Sequence, residues 1–227
     1  MSLREGPLLK ALGGQPKHIS RSTLLRYASK VVLVGGAYYV AAVLGLRLAL
    51  IERNVTPLWP PTGIAVVAIL IFGWRVWPGI ALAALAVNLP ISTNGLAAVA
   101  TAAGNTLAPI VAALLLVRVG FRREIDRLQD ALAIVFLGAL LSMLISASIG
   151  TGTLVLSGAI PASKFPAAWA VWWTGDAMGV LVVAPFLLGL FQRPWSGSLQ
   201  ERTELGALLL IVATVSVLVM NTDLQLM

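Results

Sequence analysis

DALAIVFLGALLSMLISASIGTGTLVL, residues 130–156, carries no charged side chain after its first residue. A helix needs about 20 mostly apolar residues to cross a hydrocarbon core of about 30 Å, and this run exceeds that length. The neighbouring stretches repeat the pattern: 95–117 and 167–191 are of similar length, 28–51 precedes them and 205–220 follows. Between the first of these and 95–117 lie two shorter apolar segments, 62–73 and 77–89, divided by Gly73-Trp74-Arg75 and Pro78-Gly79, which predict a hairpin of short helices. The expected fold is all-α, a polytopic transmembrane bundle of about seven spans. The 28–51 run is too long for a signal-peptide core, and no A-x-A-like site follows it.

Composition supports lipid as the surrounding solvent. Of the 227 residues, 59% are hydrophobic and 11% charged, with mean hydropathy +0.92. A soluble domain usually carries about 25% charge. The basic pI near 10.6 does not point to nucleic acid, because Lys and Arg are not gathered with aromatics on one face. Cys is absent, and the one histidine, His18, sits in the polar N-terminal segment. Thiolate or histidine metal sites within the membrane are therefore excluded, and no metal or cofactor is expected.

Basic residues set the orientation. Arg4, Lys10, Lys17, Arg21, Arg26 and Lys30 precede the first span; Arg75 lies in the hairpin turn; Arg118, Arg122, Arg123 and Arg127 lie between the fourth and fifth spans, and Arg193 and Arg202 between the sixth and seventh. All fall on one side, with Arg53 and Lys164 opposite and Arg47 inside the first span. The expected layout is a cytoplasmic N-terminal segment (1–27), a bundle (28–220), and an outer-face tail or linker start (221–227). Seven crossings leave residue 227 outside, as in an eight-span module lacking its last helix.

Lipid gives helices no hydrophobic reason to associate, so small residues become the packing code. The fifth span carries Gly138, Ser142, Ser146 and Gly150 at spacing four, and the fourth carries Ala100, Gly104, Ala108 and Ala112. These stripes are expected to face each other. Gly175 and Gly179 bracket Asp176 in the sixth span, and packing within one chain is favoured over dimerisation.

Asp176 is the leading site candidate, since a carboxylate at depth costs at least about 2.5 kcal/mol unless protonated, paired or facing a cavity. Counted at about 1.5 Å per residue from the outer span ends, Asp176, Asn105 and Ser146 lie roughly 14 to 15 Å deep and predict one polar layer. The 62–73 helix is only about 18 Å long, which would bring Trp59-Pro60-Pro61-Thr62-Gly63 below the outer surface. Irregular backbone at that depth is tolerated only within protein or against a wet cavity. Pro61 or Thr62 would then open the helix with free N–H groups suited to an anionic or hydrogen-bond-accepting group. Asn88 and Trp173 complete the candidates. Plainer readings compete: Asp176 as glue to Asn105 or a backbone group, Trp-Pro-Pro as a rigid turn with an interfacial Trp, Asn88 as a helix cap, and Arg47 snorkelling outward rather than pairing with Glu52 or Asp176.

The motifs Leu58-Trp-Pro-Pro-Thr-Gly-Ile64, Phe72-Gly-Trp-Arg-Val-Trp-Pro-Gly-Ile80 leading to Asn88, Gly104-Asn-Thr-Leu107, Ser146-Ala-Ser-Ile-Gly150 and Trp172-Trp-Thr-Gly-Asp-Ala-Met-Gly179, then Ala184-Pro185, cover most of 30–192 in order and spacing. The sequence resembles the first type of membrane-associated sensor domain (MASE). The resemblance implies a bacterial inner-membrane input module, commonly of about eight spans, joined to a cytoplasmic histidine kinase, PAS or diguanylate cyclase effector. That effector would lie in the same chain beyond residue 227. The resemblance supplies no stimulus; a ligand, lipid or partner membrane protein is expected to shift the bundle. Many members carry Glu shortly after Gly-Asn-x-Leu; this chain has Ala108-Pro109, so no ligand or proton role is carried over there.

Two other classes compete. A small transporter fits the interrupted hairpin and buried acid, but its matching half is only partial, around Gly150 to Gly158. An intramembrane protease would need Ser with His or Lys, or two Asp residues, at depth, and the spans offer neither.

Overall fold

A computed structural model describes residues 21–46, 58–192 and 203. Six helices account for most of it: α1 (Arg21–Leu46), α2 (Pro60–Phe72), α3 (Trp77–Asn88), α4 (Gly95–Arg118), α5 (Leu128–Leu156) and α6 (Ala162–Phe191). No strand occurs among the described residues. α1, α4, α5 and α6 are each long and apolar enough to cross a membrane, while α2 is shorter. The expected span at 205–220, the tail at 221–227, and the roles given to His18, Arg47 and Glu52 lie outside the described residues. The described residues up to Pro185 form one compact unit, and the end of α6 and Thr203 belong to a second.

Local chemistry sets the helix boundaries. Pro occupies the first turn of α2, α3 and the α-helical part of α6, where its missing N–H costs nothing and its φ is already helical. This is why α2 begins at Pro60 rather than at 62. Asn94 caps α4, its side chain accepting from the Ala97 N–H at 2.9 Å. Gly73, at φ 85, closes α2 and starts the 3-10 turn Trp74–Val76 that makes the hairpin. α1 is already helical at Arg21, ahead of the apolar run from 28, and its Arg and Lys stems lie along the helix while their heads stay in water.

Two helices depart from α geometry. α5 is π-helical over Ile134–Leu141 and α6 over Gly179–Val183. π turns loosen the carbonyl ladder, and side chains use what is freed. The Ser142 hydroxyl donates to the Leu137 carbonyl at 2.6 Å, and the Trp173 indole to the Leu140 carbonyl at 2.9 Å. In α4, Pro109 has no N–H to return to the Asn105 carbonyl four residues back.

The helices meet through small residues. α1 packs on α2 and α3, α4 on α2, α3 and α5, and α5 on α6. The expected pairing of the α4 and α5 stripes holds at its centre, where Gly104 lies against Ser146 and Ile149, and Ala108 and Ala112 are fully buried. At one end Gly138 also meets α4, through Leu116, together with Val180 of α6. At the other the pairing fails, because Gly150 lies beneath the Trp172 ring of α6.

The loop between α4 and α5 is tightly organised. Fully buried Asp130 takes the Arg127 guanidinium at 2.6 and 2.8 Å and the Arg122 backbone N–H at 2.9 Å. Arg127 also donates to the Gly120 carbonyl at 2.8 Å. The hydrogen bond to Asp130, and secondarily its charge, raise the Arg127 pKa above the ordinary guanidinium value.

Candidate functional site

The Trp59–Gly63 segment docks on α6 around Asp176. The Trp59 N–H donates to the Gly175 carbonyl at 2.9 Å, and the Thr62 hydroxyl donates to Asp176 Oδ1 at 2.5 Å. Close approach depends on glycine at two positions. A Cβ on Gly179 would strike the Trp59 carbonyl, and one on Gly63 would strike the Gly179 carbonyl and Val183. Gly179 thus serves packing within the chain, while Gly175 contributes its carbonyl to the Trp59 N–H.

Gly175 stands ten residues beyond Phe165, the start of the α-helical part of α6, about 15 Å along the axis. Trp59 therefore reaches the level of the buried acid. Its indole is buried against Gly45 of α1 rather than spread at an interface, which corrects the plainer reading of the motif. Pro60 and Pro61 form the first turn of α2 behind it.

A second chain of bonds runs through the same layer. Ser146 Oγ donates to Asn105 Oδ1 at 2.9 Å, and Trp172 Nε1 donates to Ser146 Oγ at 3.2 Å. Asp176, Asn105 and Ser146 are each 5% exposed or less, and Ser146 and Trp172 are among the polar neighbours of the carboxylate. The three residues placed at one depth by residue counting therefore do share a layer. The direct side-chain partner of Asp176 is Thr62, not Asn105.

Two candidates stand apart from this layer. Asn88 donates to the Ala84 carbonyl at 2.8 Å and so closes its own helix. Trp173 binds the Leu140 carbonyl and stacks on Trp169, with ring centroids 5.9 Å apart, so it anchors α6 to the π segment of α5.

Two participants were not among the candidates. Trp172, four residues before Asp176, shares a face of α6 with the acid, a spacing legible in the sequence. Tyr38 of α1, 1% exposed, has its hydroxyl among Asp176, Trp59 and Asn105. The residues Val34, Tyr38, Ala42 and Gly45 form the buried stripe of α1, and that periodicity was its signal.

Among the described residues, neither the Tyr38 hydroxyl nor Asp176 Oδ2 has a partner at hydrogen-bond distance and angle. An unpaired buried polar group costs about 1 to 3 kcal/mol. Two of them in one layer leave unmet hydrogen-bonding capacity at the junction of α1, α2, α4, α5 and α6. A rearrangement or an incoming polar group has something to gain there.

The MASE1 family model matches residues 31–227. The chain belongs to the MASE1 family. MASE1 domains are membrane sensory input domains, and the multi-span helical architecture of this chain fits that role. No curated protein and no solved structure matches the chain. The segments on which the sequence resemblance rested converge here: the Trp59–Gly63 turn, Asn105, Ser146 and the Trp172–Gly179 segment all meet in the layer just described.

Proposed function

We propose that this MASE1 domain is the input module of a bacterial signal-transduction protein in the inner membrane, with its N-terminus in the cytoplasm. Its polar layer is the sensing element. A small ligand or a membrane protein partner shifts the Trp59–Gly63 turn against α6, and a following helix carries the shift to a cytoplasmic effector of histidine kinase or diguanylate cyclase type beyond residue 227. The observation that carries this reading is the half-satisfied Asp176: one oxygen is held by Thr62, and the other has no hydrogen-bond partner among the described residues.

A switch needs two states whose populations the stimulus shifts. Docking of irregular backbone on a π segment supplies an element able to hold two arrangements, since both partners lack a continuous ladder. The orientation is supported by the bond from the Tyr27 hydroxyl to the Arg75 carbonyl, 3.1 Å. It joins the basic start of α1 to the hairpin turn at one end of the bundle, in keeping with the bias of basic residues to one side.

The test is Asp176→Asn in the full-length protein, reading effector output with and without stimulus. Output and response should both change while expression holds. If a well-expressed variant signals as the parent does, the layer is not the sensing element.

A further inference from the structure

Beside the polar layer, on the outer face of the α3–α4 pair, runs a groove of about 570 Å³ lined by Trp74, Trp77, Leu85, Val99, Leu107 and Ile110 among others. The lining is almost wholly apolar, and several of its residues belong to faces left exposed by the fold: Trp74, Trp77, Val99 and Leu107 are each about half exposed. In a membrane domain such faces meet acyl chains. A furrow between two helices holds a chain in one place instead of letting it exchange across a smooth surface.

One end of the groove differs from the rest. Trp74 and Trp77 flank Arg75 in the hairpin turn, and Arg26 and Lys30 of α1 lie at the same height of the bundle, on the Gly79 side of α3. The Tyr27 hydroxyl bonds the Arg75 carbonyl, placing neighbouring Arg26 at that height, and the Lys30 ammonium lies 5.4 Å from the centre of the Phe72 ring. Among the described residues no carboxylate pairs with Arg26, Lys30 or Arg75. Indoles at the end of an apolar furrow mark the headgroup level, and cations there complement a phosphate.

We propose that this groove is a binding site for an anionic phospholipid of the surrounding bilayer. An acyl chain lies along α3 and α4, and the phosphate is held at the Arg75 end. The lipid clamps the hairpin turn onto α4, so the site also sets how firmly α2 is held.

Each basic residue near a membrane surface adds about fivefold to the affinity for an anionic lipid. The test uses the full-length protein, delipidated in detergent and offered phosphatidylglycerol or phosphatidylcholine of the same chains, with bound lipid counted by native mass spectrometry. The parent should retain phosphatidylglycerol at least fivefold better. Arg75→Gln keeps the backbone carbonyl that Tyr27 uses and should remove about that factor of selectivity. Ala103→Trp, which fills the furrow at a lining position, should lower retention of both lipids.

Equal retention of the two lipids by the parent would mean that any acyl chain fills the furrow, and the proposal falls. It also falls if Arg75→Gln retains full selectivity. A cysteine placed at Leu107 that cross-links in membranes to another protein helix would assign the groove to a protein partner instead. None of these readouts depends on effector output, so failure here and failure of the sensing role are distinguishable.

Discussion

Replacing Gly179 with Ala puts one methyl group between α6 and the carbonyl of Trp59, a contact far too close for any real Cβ. The obstacle is backbone on both sides, so no side chain can swing away. Overpacking of this kind costs about 1 to 3 kcal/mol. If the Trp59 segment retreats instead, the bond from its N–H to Gly175 is lost and Thr62 is drawn off Asp176, and leaving buried groups unpaired costs about the same. The two are alternative ways of relieving one collision, so they do not sum; about 2 to 3 kcal/mol is expected. Against this stands the gain of about 1 kcal/mol from Gly to Ala in a helix. Gly36→Ala in α1 provides the control, since nothing lies within 4 Å of its Cβ position. It should be neutral or slightly stabilising. The quantity to measure is the gap in unfolding free energy between the two variants, by SDS titration in mixed micelles, where the propensity gain cancels. A gap near zero would mean that the Trp59–Gly63 turn does not rest on α6 at this level.

Tyr38→Phe removes a buried hydroxyl that has no hydrogen-bond partner among the described residues. The same titration should show stability unchanged or raised by about 1 kcal/mol; a loss of that size would mean the hydroxyl is bonded after all. Asp130→Ala strips the Arg127 guanidinium and the Arg122 N–H of their shared acceptor. The loop at Arg122, Arg123 and Arg127 should then become open to trypsin in membrane vesicles exposing that face, and an unchanged digestion rate would show that the loop is held by other contacts.

Hydropathy alone made the bundle legible, because a run such as 130–156 has no folded use in water. Residue counting also placed Asn105, Ser146 and Asp176 at one depth, since a regular helix converts sequence distance directly into height. Rotation about the helix axis was harder to read. The stripe from Gly138 to Gly150 meets α4 until Gly150, where the large Trp172 ring of α6 takes the space, and small-residue spacing alone does not say which neighbour arrives there. Pairing across helices was hidden too. Thr62 and Asp176 are 114 residues apart, and no local pattern announces that the hydroxyl of one reaches the acid of the other. Tyr38 shares the inward face of Val34, Ala42 and Gly45, a periodicity that marks it as buried. Trp173 was chosen over Trp172 without the four-residue relation to Asp176 being applied.

Pro109 has a mechanical consequence. It removes the bond that would close α4 across the Asn105 carbonyl, four residues below it, and α6 loosens into its π segment only three residues beyond Asp176. α2 begins at the same height, with Trp59 outside the helix. The stiffness of a helical rod comes from its unbroken ladder, and here three rods lose theirs within one narrow slab. Flexing of the domain therefore concentrates in that slab, and its two halves behave as stiffer blocks joined by a compliant seam.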